Sequence, residues 1–254
     1  MEYKHIQTIL KDGIATIILN RQPVNVLNIA MMEEINSALK NFIKEEVKLL
    51  VFRAQGKAFS AGVEVAEHMG DLAEKMIEVF HGMFRLMDKL DVPSIAIVNG
   101  TALGGGCELV IYCDMAIASD KAKLGQPEIM VGVFPPIAAL TMPRVMGRKK
   151  AMELLLSGDT INAEEAMNIG LINKVVPHDS LEEEAEKFIN KFSKNSGVVL
   201  KITRSAILKG ISENQEKGLE VLENIYFEKL MKTHDAQEGL RAFIDKRKPV
   251  WENH

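Results

Sequence analysis

A recurring order of short apolar run, glycine-bearing loop and helix constrains the fold of this chain more than any other feature. Apolar runs at residues 49–52, 94–98 and 115–118 have the length of buried strands, and a loop that contains glycine follows each run. Helical patterns follow the first two loops, at residues 72–90 and 104–113. Strands that alternate with helices predict an α/β core in which the strands pair largely in parallel.

The residues before this core predict a hairpin and a helix. The Asp-Gly pair at residues 12–13 favours a tight turn between apolar runs at residues 6–10 and 14–19. Asn28 is a suitable N-cap for a helix that continues to about residue 45.

After Pro143 the pattern predicts helices joined by short turns, with one short strand at residues 171–176. These helices are predicted at residues 148–156, 163–169, 181–192, 198–211, 216–231 and 236–246. No low-complexity linker separates them from the core. We therefore predict one domain, with a core at residues 1–190 and a helical region at residues 191–254 that covers the pocket or forms subunit contacts.

Composition excludes several classes of protein. Hydrophobic residues make up 47% of the 254 residues and charged residues 26%, which is typical of a globular domain. The net charge of -4 argues against nucleic acid or an anionic membrane as the main partner. The sequence has no signal-peptide pattern and no apolar run long enough to cross a bilayer, so we predict a cytoplasmic protein.

The cysteines and histidines predict neither a disulfide nor a metal centre. Cys107 and Cys113 lie on different faces of one predicted helix, which is unfavourable for a disulfide bond. The six histidines are scattered, and none of them forms a recognised zinc-binding spacing.

Two acidic residues, Glu108 and Glu128, each follow a glycine-bearing turn in an otherwise apolar stretch. Carboxylates are rarely buried without a partner or a task. If both reached one pocket, mutual repulsion and loss of hydration would raise at least one pKa and create an acid/base pair near neutral pH. The alternative is that each is a first-turn acid that stabilises a helix dipole.

The triple glycine at residues 104–106 has three interpretations. The spacing of a dinucleotide-binding loop is absent. The glycines could form a flexible turn. They could also form an anion hole, because free N–H groups at a helix N-terminus favour negative charge. The glutamate one turn further along favours the anion hole, and the combination suggests proton transfer on an activated carbonyl compound.

Two other polar residues have simpler explanations. Ser60 lacks the G-x-S-x-G pattern of a serine hydrolase. His68 follows Glu64 and Glu67 where a loop meets a helix, and a solvated position at a helix start is favoured over a catalytic one. The fourteen methionines fall at helical spacing on apolar faces, which indicates core packing.

These motifs, jointly and in this order, resemble the crotonase (enoyl-CoA hydratase/isomerase) superfamily over nearly the whole chain. The matching blocks are residues 19–21, 57–64, 99–109, 125–129, 238–243 and 246–248. The resemblance implies a ClpP-like spiral of repeated β-β-α units and a helical C-terminal trimerisation region. It also implies a homotrimer or dimer of trimers, an acyl-CoA thioester substrate and no further cofactor.

The resemblance also implies roles for individual residues. The backbone N–H groups of Val63 and Gly105 would bind the thioester oxygen, and Glu108 and Glu128 match the pair of glutamates of the hydratases. The residues that would bind the substrate and its coenzyme A arm are Val26, Val63, Glu64, Val65, Ala66, His68, Gly104, Gly105 and Pro135.

The chain departs from the usual family pattern at several positions. Ala66 stands where a lysine often contacts coenzyme A, and His68 stands where an apolar pocket residue is usual. Pro135 and Pro136 replace part of a glycine-rich stretch after the second glutamate, and we expect them to stiffen the pocket wall. These features resemble cyclohexa-1,5-diene-1-carbonyl-CoA hydratases of anaerobic aromatic degradation.

The expected activity is therefore hydration of a conjugated enoyl-CoA, with a cyclic dienoyl-CoA as the candidate substrate. A Δ3-Δ2 enoyl-CoA isomerase is the alternative within the same superfamily, and it would need one base and no bound water. A non-catalytic role such as RNA binding, which some relatives show, conflicts with the acidic charge balance.

Overall fold

A computed structural model describes residues 3–254 of the chain, and within them ten strands form two sheets alongside ten α-helices. The strands are β1 (Ile6–Lys11), β2 (Ile14–Leu19), β3 (Leu49–Ala54), β4 (Ala58–Ser60), β5 (Ser94–Val98), β6 (Thr101–Leu103), β7 (Met115–Ser119), β8 (Lys123–Gly125), β9 (Thr160–Asn162) and β10 (Lys174–Val176). The helices are α1 (Ile29–Phe42), α2 (Leu72–Leu90), α3 (Gly105–Tyr112), α4 (Pro136–Met146), α5 (Arg148–Ser157), α6 (Ala163–Asn168), α7 (Leu181–Ser193), α8 (Gly197–Gly210), α9 (Gln215–Glu228) and α10 (His234–Ile244).

The larger sheet has the strand order β1-β2-β3-β5-β7-β10, and only the β1–β2 pair is antiparallel. Its central strands are buried on both faces. In β3, Leu50 and Phe52 face the main core, whereas Leu49 and Val51 face a second cluster that α7 covers. Burial on both faces explains why these strands are continuous apolar runs with no polar alternation.

The smaller sheet has the order β4-β6-β8-β9, in which only β8–β9 is antiparallel. Successive β-β-α units place their first strand in the larger sheet and their second strand in the smaller one, as in β3-β4-α2, β5-β6-α3 and β7-β8-α4. Because β4, β6 and β8 are parallel neighbours, the loops that follow them leave from one edge of the smaller sheet.

The structure corrects the sequence-based expectation in two places. The four strands of the smaller sheet were not predicted, because each has three residues and shows no alternation long enough to detect. Helix α4 begins at Pro136 and contains Pro143, whereas no helix was predicted between residue 113 and that proline. Pro143 removes the donor to the Ala139 carbonyl, and the exposure of Ala139 lets water replace it.

Helices α8–α10 form the C-terminal helical region, and a buried arginine links it to the core. Arg204 of α8 is 8% exposed, and its Nε donates to Asp114 Oδ2 at 2.9 Å. Its Nη1 donates to Asp91 at 3.1 Å, and Nη2 lies 3.6 Å from Asp88. The predicted division at residue 190 stays a prediction.

Two expectations about single residues agree with the structure. Cys107 and Cys113 are free thiols, both buried, and the Asn28 side chain accepts from the Met31 N–H at the start of α1. A search of residues 3–254 finds no helix that combines the length and the apolar character needed to traverse a lipid bilayer.

Candidate active site

Three loops meet at the carboxyl edge of the smaller sheet. The loop after β4 carries Val63, the turn after β6 leads into α3 with Glu108, and the loop after β8 carries Glu128. In the sheet, Leu103 at the end of β6 pairs with Gly125 at the end of β8, so the chain leaves both strands at the same level. The sheet that aligns these loops is the smaller one, which was not predicted from the sequence.

Two glycines allow the neighbouring loops to approach the start of α3. Gly104 has a φ of 49°, and a Cβ at this position would lie 2.5 Å from Glu128 Oε1. A Cβ at Gly105 would lie 2.5 Å from Val63 Cγ2. Side chains are excluded at both positions, so Glu128 and Val63 pack directly against bare backbone.

Glu108 lies in the first turn of α3 and is 2% exposed. Its Oε1 accepts from the N–H groups of Ile137 at 2.8 Å and Ala138 at 2.9 Å, which are in the first turn of α4. Burial raises the pKa of Glu108 to about 7, against the opposing effect of the Ala138 N–H and with a further rise from the charge of Glu128. The carboxyl group is therefore oriented and can exchange a proton near neutral pH.

The contact between Glu108 and α4 gives the double proline a specific function in this fold. Pro136 occupies the first position of α4, where its missing N–H is not needed. The next two N–H groups have no partner within the helix, and the Glu108 carboxylate caps them. Glu108 was expected to be near the N-terminus of one helix, and it is near the N-termini of two, α3 and α4.

Glu128 lies in a single 3₁₀ turn, Pro127–Val131, and is half-buried. Its Oε2 is fully buried and has no hydrogen-bond partner within residues 3–254. Burial raises the pKa of Glu128 to about 7. Because its charge also raises the pKa of Glu108, the two carboxyl groups titrate as a coupled pair.

The backbone N–H groups of Val63 and Gly105 are available at the start of α3. A parallel bridge joins Leu27 to Val63, and its two hydrogen bonds use the Gly62 carbonyl and the Glu64 N–H. The N–H of Val63 therefore points away from Leu27. Gly105 is the first residue of α3, so its N–H has no acceptor within the helix. Both donors are near the positive end of the helix dipole.

The residues expected to contact coenzyme A lie along one strip beside this centre. The Leu27–Val63 bridge brings Val26 next to the loop of Val63 and Glu64. Arg21 ties the two segments together, because it donates to the Val26 carbonyl at 3.0 Å and lies 3.8 Å from the Glu64 carboxylate. Val65 is 61% exposed, so the strip opens to solvent.

The remaining predicted residues differ in their exposure to solvent. Ala66 is exposed, and Pro135 is buried immediately before α4. His68 ends a 3₁₀ turn, and its Nδ1 lies 3.1 Å from the Glu64 carbonyl. His68 is partly buried, and its role stays a prediction.

Two buried polar residues of this region were not predicted to be part of the site. Gln126 is 1% exposed, and neither atom of its amide has a hydrogen-bond partner of normal geometry in the described part of the chain. Ser60 is buried; its hydroxyl donates to the Asn25 carbonyl at 2.8 Å and accepts from the Gly62 N–H at 3.2 Å. Ser60 thus holds the loop that presents Val63. Their position offered no usable signal, because the short strands that end at Ser60 and before Gln126 were not predicted.

Comparison with known proteins identifies the family. The model of the enoyl-CoA hydratase/isomerase family matches residues 10–254. A probable enoyl-CoA hydratase of Rhizobium meliloti is 37% identical over 252 residues, covering 98% of this chain and 98% of that protein. The crystal structure of an enoyl-CoA hydratase from Bacillus anthracis has a TM-score of 0.93 at 32% identity, covering 99% of this chain and 100% of that one. Human enoyl coenzyme A hydratase domain-containing protein 3 has a TM-score of 0.91 at 31% identity, covering 98% and 100%.

The chain belongs to the enoyl-CoA hydratase/isomerase family and has the crotonase fold. It is an enzyme of the hydro-lyase type that acts on acyl-CoA thioesters. The predicted superfamily, fold class and enzyme class are thereby confirmed. The roles of single residues, the acyl group and the oligomeric state stay predictions.

Proposed function

We propose that this enzyme adds water to a conjugated enoyl-CoA, using Glu108 and Glu128 as the acid/base pair and the Val63 and Gly105 N–H groups as the oxyanion hole. One observation carries the proposal. Two coupled carboxyl groups, each with a pKa of about 7, flank the glycines at the start of α3. Carboxyl groups with such pKa values can accept and donate protons at physiological pH.

The proposed reaction has two proton transfers. One glutamate takes a proton from water, whose oxygen bonds to the β-carbon of the enoyl group. The π electrons move toward the thioester, and its carbonyl oxygen becomes an enolate oxygen held by Val63 and Gly105. The other glutamate gives its proton to the α-carbon, and the carbonyl re-forms. The net change is the addition of one water, with no metal or redox cofactor required.

The proposed acid/base pair and oxyanion hole are sufficient for a large rate enhancement. A positioned general acid or base contributes roughly 10²–10⁴-fold. Loss of one oxyanion-hole donor in other enzymes costs about 2.7–4 kcal/mol. The N–H of Gly105 gains further strength from the α3 dipole, which favours negative charge at this end.

Labelled water distinguishes hydration from the isomerase alternative. The enzyme is incubated with an enoyl-CoA in H₂¹⁸O, and the product is examined by mass spectrometry. Hydration places ¹⁸O in the product hydroxyl group. An unlabelled product with a shifted double bond would show that the chain is an isomerase and would end the proposal.

For the acyl group, we propose a cyclic dienoyl-CoA. The proposal is supported by the rigid Pro135-Pro136 entry into α4, which fixes the wall behind Glu108. A panel of straight-chain and cyclic enoyl thioesters, followed by ultraviolet absorbance, tests it. We expect a higher kcat/KM for cyclohexa-1,5-diene-1-carbonyl-CoA than for crotonyl-CoA. The reverse preference would overturn the substrate assignment and leave the reaction type intact.

For the assembly, we propose a homotrimer or a dimer of trimers built on the C-terminal helical region. Large apolar side chains on α8–α10 are exposed in the single chain, including Ile207 at 58%, Phe227 at 62% and Phe243 at 84%. Such exposure is typical of a surface that another subunit covers. Light scattering after gel filtration measures the mass, and a monomer at micromolar concentration would contradict the proposal.

A further inference from the structure

A cluster of two histidines and a glutamate lies outside the candidate active site, in the C-terminal helical region. His234 is the first residue of α10, and Glu252 and His254 belong to the segment that follows this helix. One ligand atom from each of the three residues lies within 4.8 Å of the others. All three side chains are open to solvent, with exposures of 41%, 55% and 69% in chain order.

A hydrogen bond to Asp235 orients the ring of His234 toward the centre of the cluster. Its Nδ1 lies 3.1 Å from Oδ1 of Asp235, whose side chain is fully buried. A carboxylate only accepts, so Nδ1 carries the proton and Nε2 of the neutral ring keeps its lone pair. That Nε2 lies 4.0 Å from Glu252 Oε1. A carboxylate behind the ring of a histidine is the usual support of a metal-binding imidazole.

His254 has the same arrangement from the opposite side. Its Nδ1 lies 3.3 Å from the Glu252 backbone carbonyl, which also only accepts, and its Nε2 lies 3.7 Å from Glu252 Oε2. The rings of His234 and His254 stack with centroids 5.2 Å apart and an interplanar angle of 20°. Two lone pairs and one carboxylate therefore converge on the same space.

Asp235 also fixes the backbone that carries the other two residues. Its carboxylate accepts from the N–H groups of Glu252 and Asn253, each at 2.9 Å, and its own N–H donates to the His254 carbonyl at 3.2 Å. Asn253 Oδ1 accepts from the Gly197 N–H at 2.7 Å. The segment is therefore held against α8 and α10, and the cluster is organised before any ligand arrives.

We propose that His234, Glu252 and His254 form a binding site for Zn²⁺ that joins α10 to the segment after it. Two neutral imidazoles and one carboxylate are ligands that zinc prefers. Ligand atoms around tetrahedral zinc are about 3.4 Å apart, given bonds of about 2.1 Å. Side-chain rotations of the exposed residues close the remaining gap. The site is independent of the proposed hydration reaction.

Isothermal titration of the untagged full-length protein with ZnCl₂ at pH 7.5, after removal of metals with a chelator, tests the proposal. We expect one Zn²⁺ per chain, and at least a tenfold loss of affinity in His234→Gln and in His254→Gln. We expect Zn²⁺ to raise the melting temperature of the wild type and to leave that of His254→Gln unchanged. Mg²⁺ should not compete, because it prefers oxygen ligands.

The matched control is His178→Gln, which removes an exposed histidine whose ring faces Ser119 and which belongs to no cluster of metal-ligand side chains among residues 3–254. It should bind Zn²⁺ as the wild type does. The proposal is overturned if the wild type binds no Zn²⁺, if His178→Gln weakens binding as much as His254→Gln, or if Mg²⁺ competes at equal concentration. Circular dichroism of each variant excludes loss of folding as the cause.

Discussion

Each end of helix α3 has a carboxyl group beside it, Glu108 at the start and Asp114 just past the end, and the two carboxyl groups have opposite surroundings. At the first turn, Glu108 faces backbone N–H groups and a second carboxyl group, and no cation of residues 3–254 pairs with it. Just beyond the last turn, Asp114 accepts from Arg204, and the Ser94 hydroxyl and N–H also donate to it. Helix α3 has eight residues, so its two ends are only about 12 Å apart.

The difference shows how burial can serve either chemistry or stability. Where Arg204 pairs with the acids, the ion pairs attach the C-terminal helical region to the core. Where no cation is present, burial raises the pKa of Glu108 and Glu128 to about 7, and protons can move. The helix dipole strengthens both arrangements, because its positive end faces the proposed oxyanion and its negative end faces Arg204.

The largest effect is expected at the uncompensated end. Glu108→Gln and Glu128→Gln keep the shape of the side chain and remove its ability to exchange a proton. We expect each to lower kcat by roughly 10²–10⁴-fold, with a much smaller change in KM, in a hydration assay. Asp88→Asn, at the compensated end, is the control and should stay within about twofold of the wild type. A glutamine variant with full activity would contradict the proposed roles.

The next effect is expected at the compensated end. Arg204→Met removes the cation and leaves Asp114, Asp91 and Asp88 facing one another. Hydrogen bonds to charged groups contribute about 1.5–3 kcal/mol, and water can reach the three acids, so urea unfolding should show a loss of about 2 kcal/mol. kcat should be unchanged at temperatures where the variant is folded. A loss of stability below about 1 kcal/mol, or a lower kcat in a folded variant, would contradict the proposed difference between the two ends of α3.

Most of the larger sheet and the helices could be predicted from the sequence, because those elements carry a long signal. Helix α2 was predicted at its observed bounds, and β5 was predicted as an apolar run closed by Asn99-Gly100. The smaller sheet could not be predicted. Its three-residue strands are fixed by pairing with each other, and pairing between distant segments leaves no local pattern.

The residues of the candidate site also divide into those that the sequence pattern indicates and those that it does not. The carboxylates and glycines could be selected because charge and missing side chains are unusual in an apolar stretch. The N–H partners of Glu108 could not, because Ile137 and Ala138 are apolar residues that act through their backbone. The sequence gives no sign that Pro136 would begin a helix whose first turn holds a catalytic candidate.

A smaller effect is expected on the free energy of unfolding, because ionisation of the buried Glu108 destabilises the folded state. Its folded-state pKa of about 7 lies above the ordinary 4.5, so its contribution to stability is complete below pH 4.5 and is lost as pH rises through 7. Glu108→Gln avoids this loss and still accepts from α4. We expect urea unfolding at pH 8.5 to show a gain of about 1–3 kcal/mol, and little gain at pH 4. An equal gain at both pH values would show that ionisation is not its cause.

The smallest effect is expected where charges are paired at the surface. Arg53 of β3 forms ion pairs with Glu182 and Glu186 of α7, whose side chains are 77% and 62% exposed. Water and salt screen such pairs, so a double-mutant cycle of Arg53→Gln with Glu186→Gln should give a coupling below about 1 kcal/mol. The coupling should shrink further in 1 M NaCl. A coupling free energy as large as the loss of stability in Arg204→Met would contradict this expectation. It would show that contact with a cation, and not burial of the ion pair, determines the size of the effect.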